Sequence, residues 1–149
     1  MTNDTHQNMT TETNIERTKE FIHAFNTNDW DLLESTLSPQ LQYFEVATKT
    51  TADSSTTFIE LCRGWKSIMA DCTGEVKDAH SCGDTVVLEI TWSGTQTGPM
   101  QTAMGEHPPS GKFQTIQGVQ ILTVKENQIT RIKNHFDLLS MLTQFGALG

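Results

Sequence analysis

Thr85-Val86-Val87-Leu88-Glu89-Ile90-Thr91-Trp92 is the stretch on which the fold turns. β-Branched and aromatic residues fill it, and its alternation puts Val86, Leu88, Ile90 and Trp92 on one face and Val87, Glu89 and Thr91 on the other. That is a strand with one buried side. Gly83-Asp84 before it supplies a turn, and Thr73 to Cys82 reads as its partner across that turn. Downstream, Gly94 to Gly111 is rich in Gly and Pro and reads as loop. Phe113 to Val124 is a long strand interrupted by Gly118, where a bulge or bend is expected. Glu126-Asn127 turns the chain into a final strand, Gln128 to Phe136. Asp137 to Phe145 then closes the chain as a helix around Leu138, Leu139 and Leu142.

Upstream of the deciding strand the period changes. Ile15, Thr18, Phe21, Ile22 and Phe25 recur at helical spacing, with Glu16, Arg17, Lys19 and Glu20 off that stripe. Asn26 to Asp29 breaks the run, and Asn28 or Asp29 caps a second helix, Trp30 to Leu37, which Ser38-Pro39 ends. Leu41 to Val46 reads as a short strand and Thr48 to Asp53 as a polar loop. Ser54 or Ser55 caps a third helix reaching about Met69, with Phe58, Leu61, Cys62, Trp65, Ile68 and Met69 on one side. Helices first and strands afterwards predict an α+β fold with an antiparallel sheet. No G-x-G-x-x-G or G-x-x-x-x-G-K-[ST] run occurs, so nucleotide cofactors find no support and no cofactor is expected.

The chain has 149 residues, enough for one hydrophobic core and one domain. Residues 1–13 are almost wholly polar and are expected to form a flexible tail, leaving 14–149 as the folded domain. With 10 Lys+Arg against 18 Asp+Glu the net charge is −8, which argues against nucleic acid and acidic membranes as partners. No window approaches the roughly 20 apolar residues that span a bilayer, and the N-terminus lacks the pattern of a secretory signal. A soluble, cytoplasmic protein is expected. Cys62, Cys72 and Cys82 are odd in number, ten residues apart, and fit neither a zinc site nor a disulfide framework. No His and carboxylate spacing marks a metal site.

Five short segments, in order, resemble the SnoaL-like polyketide cyclases of the nuclear transport factor 2-like fold. Phe25-Asn26-Thr27-Asn28-Asp29-Trp30 resembles the family's F-N-x-x-D-W, and Gly83-Asp84-Thr85-Val86-Val87 its G-D-x-V-V. Gly94-Thr95-Gln96-Thr97-Gly98 resembles G-T-H-x-G, and Pro109-Ser110-Gly111 resembles P-T-G. Phe136-Asp137 with Leu138-Leu139 and Gln144-Phe145-Gly146 resembles the closing F-D-x-x-x-L-x-x-Q-L-G. The resemblance runs from about Ile15 to Gly146. It implies N-terminal helices packed on a strongly curved, mainly antiparallel sheet, a cone with an internal pocket. It also implies a homodimer paired through the sheet face and a cofactor-free cyclase or isomerase acting on a small, mostly apolar carbonyl compound.

Asp137 matches the position of the family's acid/base carboxylate. A carboxyl in an apolar cavity has its pKa raised by desolvation and can both take and give a proton. As the residue just before the closing helix, Asp137 reads equally well as an N-cap. Gln96 stands where the family motif carries His, and an amide cannot transfer protons at neutral pH. Gln120 and Asn134 likewise place amides on strands that would line the pocket. Trp65, Trp92, Tyr43 and Phe113 either wall that pocket or serve as plain core. His135, two residues before Asp137, is a candidate partner for it or a solvent-facing strand residue. Two further readings stay open beside the enzyme: a non-catalytic binder of a small apolar ligand, with Gln96, Gln120 and Asn134 orienting it, and a protein-interaction domain with a vestigial pocket.

Overall fold

A computed structural model describes the backbone of residues 2–148 and the side chains of 10–148. The chain runs α1 (Thr2–Asn26), α2 (Trp30–Thr36), β1 (Leu37–Glu45), β2 (Thr50–Ala52), α3 (Ser55–Ile68), β3 (Thr73–Cys82), β4 (Thr85–Thr95), β5 (Met100–Thr102), β6 (Gly105–His107), β7 (Phe113–Lys125), β8 (Gln128–Phe136) and α4 (Leu138–Phe145). Six strands form one curved sheet in the order β2-β1-β8-β7-β4-β3, and β5 and β6 form a separate two-stranded hairpin. Neighbours pair antiparallel except β1 with β8, which run parallel. The fold is α+β, with helices packed on one face of the sheet.

Alternation along the strands decides which residues the helices cover. On β4, Val86, Leu88 and Ile90 are buried; on β7, Gln114, Ile116, Gly118, Gln120, Leu122 and Val124 occupy the same face. α1 lays Phe21, Ile22 and Phe25 toward β3 and β4, α3 lies across β1, and α4 sits on β7. Asp29 caps α2 through the Leu32 N–H (3.1 Å), and Ser54 caps α3 through the Thr57 N–H (3.1 Å). The β7–β8 turn places Glu126 and Asn127 at φ 51° and 61°, the mirror-image geometry that two-residue hairpin loops adopt.

The structure departs from the sequence reading in four places. α1 begins at Thr2, so the polar stretch expected as a tail continues the helix backbone, because extending a nucleated helix adds one hydrogen bond per residue fixed. β1 begins at Leu37 and contains Pro39; its register with β8 shifts between Leu37 and Gln42, the kind of irregularity that accommodates a residue without an N–H. The supposed loops 48–53 and 94–111 contain β2 and the β5–β6 hairpin. Gly118 carries no bulge: pairing of β4 with β7 is continuous from Thr85–Thr123 to Thr95–Phe113. The irregularity lies between Thr123 and Val124, in the pairing with β8.

Candidate functional site

Between α1, α3, α4 and the inner sheet face lies a mostly apolar hollow of about 70 Å³. Phe21, Ile22 and Phe25 of α1, Phe58 and Trp65 of α3 and Met141 of α4 form its walls, and Tyr43, Trp92, Gln120, Asn134 and Phe136 come from the strands. Trp92 owes its position to glycines. A Cβ on Gly74 would lie 2.7 Å from its ring, and one on Gly118 would lie 3.2 Å from it and 3.0 Å from the His135 carbonyl. The indole therefore lies across two neighbouring strands that present no side chain there. Asn26, at the end of α1, holds Gly74 with a reciprocal pair of 2.8 Å hydrogen bonds to its N–H and C=O. Phe25 meets the indole edge-on at 5.5 Å, and Trp65 meets Phe136 in the same way at 5.6 Å.

Polar groups enter along one row. Glu45, Asn134, Gln120 and Leu88 are successive register partners across β1, β8, β7 and β4. Glu45 is only 3% exposed. Its carboxylate accepts from the Tyr43 hydroxyl at 2.6 Å and the Thr48 hydroxyl at 2.7 Å, with a longer contact to the Trp65 indole N–H at 3.4 Å. Asn134 donates its amide N–H to the Tyr43 oxygen at 3.0 Å. Burial first, and the Glu45 charge second, hold the Tyr43 phenol well above its ordinary range, so it stays protonated. The side-chain oxygens of Gln114, Gln120 and Asn134, all lining the hollow, have no partner in the protein. A buried amide left unpaired costs about 1–3 kcal/mol, so these oxygens are strong sites for a donor.

The structure thus brings together Tyr43, Trp65, Trp92, Gln120 and Asn134 as the sequence led one to expect. Three expectations are corrected. Asp137 lies outside the lining with an exposed carboxylate: it caps α4, accepting from the Ser140 N–H at 3.0 Å and the Ser140 hydroxyl at 2.6 Å. Those bonds, the hydroxyl's first, hold it below the ordinary carboxylate range, the opposite of what a neutral-pH acid needs. Gln96 is fully buried away from the hollow, its amide N–H group donating to the carbonyls of Gly98, His107 and Pro108 at 3.1–3.2 Å. It clamps the base of the β5–β6 excursion. Phe113 is 60% exposed and lines nothing in the hollow. His135 alternates with Asn134 and so occupies the opposite sheet face.

Glu45 and Gln114 were missed, although each shares strand parity with residues that were singled out: Glu45 with Leu41 and Tyr43, Gln114 with Ile116 and Gln120. Also missed was a cluster on the outer face. The His80 ring nitrogen lies 2.7 Å from Glu89 and 3.5 Å from Asp78, and the three groups offer ligand atoms within 4.8 Å of one another. Hydrogen bonding to Glu89, and then the Asp78 charge, raise the His80 pKa above 6.5.

The sequence pattern of SnoaL-like polyketide cyclases matches residues 16–145. Among curated proteins none matches the sequence. Several solved structures share the fold. A SnoaL-like protein from Jannaschia sp. CCS1 superposes with a TM-score of 0.81 at 19% identity, covering 91% of this chain and 93% of that one. TsrD from Streptomyces laurentii gives 0.76 at 24% identity, over 89% and 93% of the two chains. An epoxide hydrolase from M. tuberculosis gives 0.71 at 16% identity, over 92% of each.

Proposed function

We propose, for a chain that belongs to the SnoaL-like polyketide cyclase family, that it binds a small, mostly apolar molecule in the hollow under α1, α3 and α4. One observation carries this reading. The lining is aromatic and aliphatic with three amides and a phenol, and among the described residues no carboxylate, His or Lys belongs to it. Such a surface orients a ligand by hydrogen bonds and excludes water, and it lacks a proton-transfer group of ordinary pKa. Native mass spectrometry of the purified protein tests this. The expected result is a retained small molecule, recovered chemically unchanged after long incubation; its conversion to a product of different structure would overturn the binding reading.

A cyclase- or isomerase-type enzyme acting on a small carbonyl compound is the second reading, favoured by the Tyr43–Glu45 pair. A buried carboxylate 2.6 Å from a phenol that lines the hollow is a proton acceptor and donor held in line. If this pair acts, Tyr43→Phe and Glu45→Gln each lower turnover at least a hundredfold while Asp137→Asn retains it. Full activity in Glu45→Gln would end that reading. We infer further that two copies pair through the outer sheet face. Phe44, Lys133, Ile121 and Val87 form one register row there, and Phe44 and Ile121 are exposed. Light scattering should give twice the chain mass, and Ile121→Glu should halve it.

A further inference from the structure

We infer that the polar end of the molecule held in this hollow is a hydrogen-bond donor, a hydroxyl or amine on a compact apolar body, rather than a carbonyl. The inference rests on the pocket reading above and adds the ligand's polarity to it. Proton bookkeeping around Glu45 decides the matter. A carboxylate can only accept, so the Tyr43 hydroxyl gives its proton to Glu45. The phenol oxygen is then left to accept, and Asn134 must turn its N–H group toward it. That orientation leaves the Asn134 oxygen without a partner. Gln114 spends an N–H on the Met69 sulfur at 3.4 Å, and its oxygen is also unpartnered. Gln120, beside Asn134 in register, adds a third such oxygen. The three residues are 0%, 8% and 4% exposed in the order Gln114, Asn134, Gln120, so bulk water does not reach them freely. A donor group completes these acceptors, whereas a carbonyl would set lone pair against lone pair. The rings of Trp65, Trp92 and Phe136 receive the apolar body, and the small volume restricts its size unless Met69 and Met141, both flexible, swing aside.

A matched set of ring compounds tests this on the full-length chain. Cyclopentanol, cyclopentylamine, cyclopentanone and methylcyclopentane are each titrated into the wild type and into Gln120→Met, with NMR shifts as readout. Wild type should bind the alcohol or the amine at least tenfold more tightly than the ketone, and the stronger of the two identifies the donor. Gln120→Met should shrink that ratio severalfold and bind methylcyclopentane at least as well as wild type. Should Gln120→Met fail to fold, Gln114→Met takes its place with the same expectation. A ketone or hydrocarbon that binds wild type as tightly as the alcohol and the amine overturns the donor assignment and leaves the pocket reading standing. An unchanged ratio in the variant also overturns the assignment. If none of the four binds wild type, the pocket reading falls as well.

Discussion

The Asp137 carboxylate rests on two donors of the helix it caps, so its contribution is to folding. Asp137→Asn should leave the melting temperature near wild type, because Asn caps as well as Asp, while Asp137→Ala should lower it by a few degrees. The pH dependence has a definite sign. A folded pKa held below 3.8 means the benefit is present above the unfolded value and is lost as pH falls through the folded one. The advantage of wild type over Asp137→Ala should therefore fade in acid, in melting curves taken below about pH 4. His80 runs the other way. Its raised pKa means that pairing with Glu89 and Asp78 stabilises below 6.5 and fades as pH rises through the folded value. NMR titration should find the His80 midpoint above 6.5, and Glu89→Gln should bring it down. Among the cysteines, burial pushes the Cys72 thiol up to about 11 and Cys62 higher still, while Cys82 is exposed. Iodoacetamide at neutral pH should modify Cys82 quickly and leave Cys62 and Cys72 intact until the chain unfolds.

Gly118 shows what an element can and cannot reveal through its sequence. Glycine inside a strand signals either a bend or a close approach, and the letters do not distinguish them. Here it is the approach: the Trp92 indole and the His135 carbonyl occupy the space a methyl would need. Gly118→Ala should displace Trp92, shifting its fluorescence maximum and lowering stability by about 1–3 kcal/mol, as overpacking a dense interior does. Periodicity was enough to read α3 and the strands β3, β4, β7 and β8, because each buries one face and alternates accordingly. It failed at β1 and in the β5–β6 hairpin, where Pro and Gly suggested loop but neighbouring strands supplied pairing partners. The site was half legible for the same reason. Strand parity brings Tyr43, Gln120 and Asn134 to the inner face, yet nothing in a string of letters tells a buried Gln96 gripping three backbone carbonyls from one facing a ligand.

Across the whole molecule, the sheet divides labour between its faces. The inner face carries uncharged polar atoms and rings, and the one carboxylate identified there, Glu45, is locked to Tyr43 and Thr48. The net charge of −8 is displayed elsewhere, including Asp78 and Glu89 on the outer face. The Gln96 clamp extends this division to the chain's path. By tying together the carbonyls of Gly98, His107 and Pro108, it closes the neck of a segment whose far end, around Met104, touches solvent on most sides. What lies beyond a fastened neck can change length without pulling on what lies behind it. A short peptide tag spliced between Ala103 and Met104 should leave the melting temperature within about a degree or two of the parent, whereas the same splice between Leu88 and Glu89 should abolish folding. The tip is thus a ready site for grafting: a place where this scaffold can take on new sequence while the domain beneath keeps its shape.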